Sequence, residues 1–428
     1  MLLKYLRDKK EQLRGLMVFP REMEVARTRR FIIPLTGPRR SGKTFYMYDL
    51  ILNKLRIRDE DFIFMNFEDP QLIGANITDI MNAVNIHEEL HGKKPRYIFL
   101  DEVQNVQRWE SAIRGLYESG EHFIFVSGSS SKLLSKEITT SLRGRTLAYA
   151  ILPLSFREYL SFKKIQVRSF PSTSEENRLK NHLRNYLKYG GFPDIVFENQ
   201  LAERFFREYL DLVVFRDVVE RHGIKNVFII KFMVRSLLMS FSKHFSVHSI
   251  FNSLKSQGIK VSKKTLYNYL SYLEEAFFVF FNRKFSYSLK ESELSIPKVF
   301  INDTGLVNFS VPGFSENMGR LMENAVFLEL KRRQNREPFT GIYYYRGRGE
   351  VDFIVTKNAK PTELIQVCYG IEDVKTKERE IKALLDASKK LVCKNLLILT
   401  WDYEGDETFK NRKIKFTPLW KWLLFKQI

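Results

Sequence analysis

Residues 37–44, Gly37-Pro38-Arg39-Arg40-Ser41-Gly42-Lys43-Thr44, constrain this chain more than any other segment. They match the pattern G-x-x-x-x-G-K-[ST]. Glycines at both ends let the backbone curl so that successive N–H groups face phosphate oxygens. The pattern gives Lys43 a point charge for the outer phosphates and gives Thr44 a hydroxyl for magnesium. The context such a loop needs is present. A short apolar run, Phe31-Ile32-Ile33-Pro34-Leu35-Thr36, precedes it, and helical spacing follows from Phe45 to about residue 57. The start of that helix adds its positive dipole end. Residues 37–45 are therefore the expected binding segment for a nucleoside triphosphate.

Three further apolar runs follow at 61–66 (DFIFMN), 96–100 (RYIFL) and 122–126 (HFIFV), with helical stretches between them. Runs of this length without alternation indicate strands buried on both faces, hence a parallel sheet whose C-terminal edge holds the ligand. That edge should carry Gly37, Glu68, Asp101 and Ser127. Asp101 is the expected magnesium-shell carboxylate, and Glu102 the base that orients the attacking water. Ser127 or Ser129 could sense the terminal phosphate, while Ser130 or Ser131 would cap a helix. Arg143 and Arg145 follow. Arg145 is the candidate for stabilising transferred phosphoryl charge, within the chain or across a subunit interface. Either a monomer or an oligomer fits.

The 428 residues suffice for several domains. With 44% hydrophobic and 28% charged residues the chain has a folding composition. Its net charge of +20 suggests a polyanionic partner, most simply DNA, with a protein partner as the alternative. Two cysteines make no disulfide framework, and seven histidines are too scattered for a zinc cluster. A cytoplasmic setting is expected. The first residues are charged throughout and lack a signal-peptide core. No apolar run approaches the roughly 18 residues of a membrane span.

From about 155 to 223 the pattern is helical, punctuated by Gly190-Gly191-Phe192-Pro193. Residues 246–255 and 262–275 read as two helices around a Gly-containing turn, which is helix-turn-helix grammar. Leu266, Tyr269, Leu270 and Leu273 share the buried face of the second helix. Lys263, Lys264, Asn268 and Tyr272 are expected to point outward, the first three toward DNA. Between 225 and 300 there are 12 basic and 4 acidic residues.

In the last segment a helix carries Glu323, one strand carries Asp352, and the next carries Gln366 and Cys368. Such a helix-strand-strand set is the geometry of magnesium nucleases, with a lysine two residues after the second strand's acidic residue. Here Gln366 stands for the carboxylate and Cys368 for the lysine. A neutral thiol cannot replace an ammonium. Lys375 and Lys377 lie near but outside the strand. A degenerate site without cleavage is expected.

The succession GPRRSGKT, FLDEVQNVQRWE, FVSGSSSKLLS, LRGRT, LPLSFREYL and YGGFPD resembles archaeal and bacterial AAA-type ATPases whose C-terminal half is a winged helix plus a restriction-endonuclease-like domain. The resemblance covers essentially the whole chain. It implies ATP and Mg as cofactors. It also implies that Gly190, Gly191 and Pro193 border the adenine, as a lid proline does in signal-transduction ATPases. The fold expected is multidomain α/β. An N-terminal helix (1–20) precedes a P-loop parallel-sheet core (21–154) and a helical lid (155–225). A winged helix-turn-helix (226–307) and an inactive nuclease-like α/β domain (308–428) complete it. The expected role is a nucleotide-gated switch on DNA. An adaptor that assembles with proteins and an ATP-dependent endonuclease are the alternatives.

Overall fold

A computed structural model describes residues 1–129, 142, 144–310, 317–337 and 339–425. Ser130, Ser131 and Arg143 lie outside the described residues. The chain divides into two compact units, Met1–Leu152 and Pro153–Ile428.

The first unit is an α/β sandwich around a parallel sheet. Helix α1 (Leu2–Arg14) precedes β1 (Ile33–Thr36), α2 (Lys43–Asp49), β2 (Phe62–Asn66), α3 (Ile77–His91), β3 (Tyr97–Asp101), α4 (Trp109–Glu118), β4 (Phe123–Gly128) and β5 (Tyr149–Ala150). The strand order is β2-β3-β4-β1-β5, and every pairing is parallel. The apolar runs become buried strands because side chains alternate between two covered faces. On one face Ile63, Met65, Ile98, Leu100, Ile124 and Val126 pack under α1, α3 and α4. On the other, Phe62, Phe64, Phe99 and Phe125 pack with Tyr46, Met47, Leu50 and Ile51 of α2 and its continuation. Phe99 and Phe125 stack at 4.9 Å across the strands. Each strand therefore projects its last residues onto one edge, and β2 and β3 are in register there, Asn66 beside Asp101.

The second unit opens with helices α5 (Phe156–Phe162), α6 (Thr173–Tyr189), α7 (Pro193–Phe197), α8 (Ala202–Leu212) and α9 (Val227–Met239). Strand β6 (Lys243–His244), α10 (Val247–Ser256), α11 (Lys263–Glu275), β7 (Val279–Asn282), α12 (Leu289–Leu294) and β8 (Lys298–Ile301) follow. The three strands form an antiparallel sheet ordered β6-β8-β7. Ser246 and Ser262 cap α10 and α11 by accepting from the N–H groups of Ser249 and Thr265.

Helix α13 (Thr304–Ser310) and α14 (Met318–Arg336) lead to β9 (Thr340–Arg346), β10 (Glu350–Lys357), β11 (Lys360–Cys368), α15 (Val374–Leu391), β12 (Leu396–Thr400), β13 (Gly405–Phe409), β14 (Arg412–Pro418) and α16 (Leu419–Leu424). The six strands form a mixed sheet ordered β13-β14-β12-β11-β10-β9. Helix α15 closes one face over Val351, Leu364, Leu396 and Ile398. Among the described residues no helix is long and apolar enough to cross a membrane.

Candidate functional site

The loop between β1 and α2 has the backbone that its glycines require. Gly37 sits at φ 144° and Gly42 at φ 91°, and a Cβ on Gly37 would lie 2.2 Å from the Ile151 carbonyl oxygen. Any side chain at Gly37 would therefore open the loop. Arg21 braces it from outside any motif. Its guanidinium donates to the carbonyls of Ser41 (3.0 Å) and Leu152 (2.8 Å), and its N–H donates to Asp49 (3.0 Å). Arg39 reaches Glu68 at 3.3 Å. Phe45 stands half-exposed, with its ring edge-on to Tyr48.

Hydroxyls from α2 and β4 converge on Asp101, which ends β3 and is fully buried. One carboxylate oxygen accepts from the Thr44 hydroxyl at 2.7 Å, and the other accepts from Ser127. Burial and the neighbouring Glu102 charge push Asp101 up to about 6, against the pull of those two hydroxyls. Thr44 and Asp101 thus share a position where a hard cation would replace a proton.

Glu102 takes a left-handed backbone, φ 50°, which costs a residue with a side chain roughly 1–2 kcal/mol. Its N–H donates to Ser127 Oγ at 3.1 Å. One carboxylate oxygen lies 3.6 Å from Lys43 Nζ, and the other accepts from Gln104 at 2.6 Å. Burial pushes this carboxyl up, but Lys43, Gln104 and Arg39 outweigh it and hold the group below its ordinary value. Lys43 also donates to the carbonyls of Gly37 (3.3 Å) and Pro38 (3.1 Å).

Two hydroxyls in this region, Ser41 Oγ and Ser129 Oγ, are buried with no hydrogen-bond partner among the described residues. Orphaned donors beside a curled loop and a buried lysine suit a phosphate group.

Two sequence expectations change. Ser127 is spent on Asp101 and the Glu102 N–H, and Ser129 is the hydroxyl without a partner among the described residues. Arg145 does not join the site. The Ile32 N–H donates to its carbonyl at 2.9 Å, at the opposite end of β1 from the loop, five residues or roughly 16 Å of strand away. Its guanidinium lies over Tyr117, 5.1 Å from the ring centre, and 3.7 Å from Glu118.

The match to known proteins follows this geometry. Residues 29–160 match the family described as an AAA domain. An uncharacterized protein of Methanocaldococcus jannaschii is 40% identical over 425 residues, covering 97% of this chain and 93% of that one. The chain belongs to the same family as this archaeal protein, and its residues 29–160 carry the AAA domain to which the P-loop at 37–44 belongs. An uncharacterized protein of Haemophilus influenzae is 29% identical over 374 residues, covering 85% of this chain and 88% of the relative. Residues 180–316 and 318–422 match two domains of unknown function. The Aeropyrum pernix ORC1 protein, solved in complex with DNA, overlaps 77% of this chain and 93% of its own at 13% identity and a TM-score of 0.28. A superposition that loose fixes neither fold nor function.

The remaining predicted site residues fall in the second unit. The Gly191 N–H donates to Asp303 at 2.7 Å, and its carbonyl accepts from the Leu154 N–H. Pro193 opens α7. Lys263, Lys264 and Asn268 are exposed on α11, opposite its buried Leu266, Tyr269, Leu270 and Leu273. Tyr272 departs from the outward set. It is half-buried, with its ring stacked 3.6 Å from that of His222.

The C-terminal constellation is assembled, with an ammonium from an unexpected strand. Lys298 of β8 is buried, with Nζ 2.6 Å from Glu323, 3.0 Å from Glu350 and 3.0 Å from Asp352. Burial works against its charge, yet the three carboxylates hold its pKa well above the ordinary value. Gln366 accepts from the Asp352 N–H at 3.2 Å and donates to Glu380. Burial pushes the Cys368 thiol up to about 11, so it stays protonated at neutral pH. Lys377 pairs with Glu407 at 2.6 Å. Lys298, 54 residues before Asp352, is the ammonium that stands among these carboxylates, while Cys368 keeps the position of the motif lysine. Among the described residues no group of three or more His, Cys, Asp or Glu has the geometry to hold a metal ion.

Two variants test these arrangements. Ser127→Ala strips a partner from Asp101 and from the Glu102 N–H, at a cost of roughly 1–3 kcal/mol. It should weaken ATP binding in magnesium while leaving magnesium-free binding near wild type; equal loss in both titrations would remove Ser127 from the metal side. Lys298→Met leaves buried carboxylates uncompensated and should lower unfolding free energy by about 3–5 kcal/mol in urea denaturation. A change below about 1 kcal/mol would show that the cluster is hydrated and weakly coupled.

Proposed function

We propose that this protein is an ATP-hydrolysing switch whose nucleotide state controls its engagement with DNA or a DNA-associated partner. The observation that carries the nucleotide half is the pairing of Thr44 with Asp101 and of Lys43 with Glu102 around two orphaned serine hydroxyls. Bound Mg·ATP would supply the phosphoryl bond to be cleaved. Loop N–H groups and Lys43 would cradle its phosphates, and Thr44 and Asp101 would hold the metal's shell. Glu102, steadied by Gln104, is the group to orient and deprotonate a water.

The Lys43–Glu102 pair suggests how the base is restrained. Without phosphate, the ammonium neutralises the base and keeps it a weak proton acceptor. A phosphate that draws Lys43 away releases Glu102 for catalysis. Hydrolysis is thus coupled to loop occupancy by one shared charge.

The DNA half is supported by Lys263, Lys264 and Asn268 lying together on the exposed face of α11, in a winged helix-turn-helix reading of 226–307. The segment 225–300 carries 12 basic and 4 acidic residues. A nuclease-like fold for 308–428 rests on Glu323, Asp352 and Gln366 meeting on one helix and two strands. Cleavage is not part of the proposal, because an ammonium stands where the metal would be needed. Arg145, remote from its own chain's loop, could act only across a subunit interface. Gly191 and Pro193 as an adenine border belong to the same reading.

The test is duplex binding by fluorescence anisotropy across a salt series, with ATP, with ADP and without nucleotide. Binding should weaken steeply with salt. Lys263→Glu with Lys264→Glu should reduce the log–log salt slope by about 2. Affinity should also differ between ATP and ADP, and that difference should vanish in Lys43→Ala. Affinity indifferent to nucleotide and to both charge reversals would overturn the DNA role and favour a protein partner.

A further inference from the structure

Helices α1 and α3 of the first unit line a cavity of about 300 Å3 that no part of the nucleotide site touches. It lies at the Glu60 end of β2, whereas Asn66 and Asp101 mark the other end. Lys10 forms part of its wall and is less than a tenth exposed. Its Nζ sits 3.4 Å from His87 Nδ1 and 3.2 Å from His91 Nε2, and 5.5 Å from the centre of the Phe62 ring. No carboxylate pairs with it among the described residues.

The surroundings leave that charge under-compensated. Two acidic side chains line the cavity. Asp59 is engaged by Arg14, and Glu11 is exposed at the rim. The His87 and His91 rings lie 4.6 Å apart. His87 Nε2 is 3.1 Å from the Glu60 carbonyl, so it donates there and presents Nδ1 to Lys10 as an acceptor. Arg7, on α1 one turn before Lys10, has no ion-pair partner among the described residues. Leu6 and Leu90 add apolar wall.

An ammonium buried without a counter-charge is costly. The local electrostatics show the strain. Burial holds Lys10 down to about 8, with Asp59 opposing and Arg14 assisting. Burial and the Lys10 charge hold His87 down to about 4, and His91 is lowered for the same two reasons.

We propose that this cavity binds a small phosphate-bearing molecule, held by Lys10, His91 and Arg7 and packed against Leu6 and Leu90. The two cations of α1, Lys10 and Arg7, face one volume whose opposite wall carries the imidazoles of α3, which suits a dianion with several acceptor oxygens. A single carboxylate would neutralise Lys10 but leave Arg7 unmatched. The volume accommodates an organic remainder at the small end of ligand pockets. Bound phosphate would also favour protonation of His91, turning an acceptor into a further donor.

Inorganic pyrophosphate is the probe, added to full-length protein whose nucleotide loop is already saturated with ADP in magnesium-free buffer. Imidazole resonances of His87 and His91 are followed by NMR at constant ionic strength, with citrate and chloride as parallel titrants. Pyrophosphate should shift both resonances saturably and raise the His91 titration midpoint by about one unit, equivalent to roughly tenfold tighter binding to the protonated form. Lys10→Met should weaken binding roughly tenfold or more while ADP affinity stays unchanged. Lys10→Arg should retain measurable binding. Absence of a saturable shift, or an equal shift in Lys10→Met, would overturn the site. Citrate binding as tightly as pyrophosphate would overturn the phosphate assignment.

Discussion

A fully buried carboxylate, Asp101, organises the first unit. Thr44 reaches it from the first turn of α2, and Ser127 reaches it from β4. Those two hydrogen bonds tie two strands and a helix to one point. The sheet has to be parallel and doubly covered for this to occur, because only then do β1, β3 and β4 end on the same edge with their polar residues facing inward. The Phe and Ile runs that build both cores are the means by which Asp101 is kept out of water.

Three buried lysines show how differently this chain handles one kind of charge. Lys43 is shared between two carbonyls and Glu102, a pairing loose enough at 3.6 Å to be exchanged for phosphate. Lys298 is over-compensated by three carboxylates and acts as a fixed cation between β8, β10 and α14. Lys10 is under-compensated, facing imidazoles and a cavity. Surplus negative charge around Lys298 locks structure, whereas Lys10 is left short of negative charge beside its cavity.

The parts legible in the sequence were those encoded by contiguous residues. The loop 37–44, the strand ends at Asp101 and Ser127, and the capped helices α10 and α11 each announce themselves within a dozen positions, because local backbone geometry and alternating burial dictate them. What was not legible depends on contacts between distant segments. Arg21 lies in a segment without periodicity, yet it holds the Ser41 carbonyl. Lys298 reads as one basic residue of a strand until β8 is laid beside β10. Ser127 and Ser129 look interchangeable in FVSGSS, and only the direction of each side chain separates the one bonded to Asp101 from the other. Arg145 follows the loop motifs in sequence but returns along β1 to its far end, which sequence order alone cannot reveal.

The central claim is that Glu102 is a base restrained by Lys43 until phosphate arrives. The most direct measurement is ATP turnover and ATP affinity of wild type and Glu102→Gln, side by side in magnesium. Loss of the carboxylate should cut turnover by roughly 10²–10⁴-fold, while affinity holds or rises because Lys43 has lost its competing partner. Turnover in Glu102→Gln equal to wild type, or affinity that collapses along with it, would contradict the account.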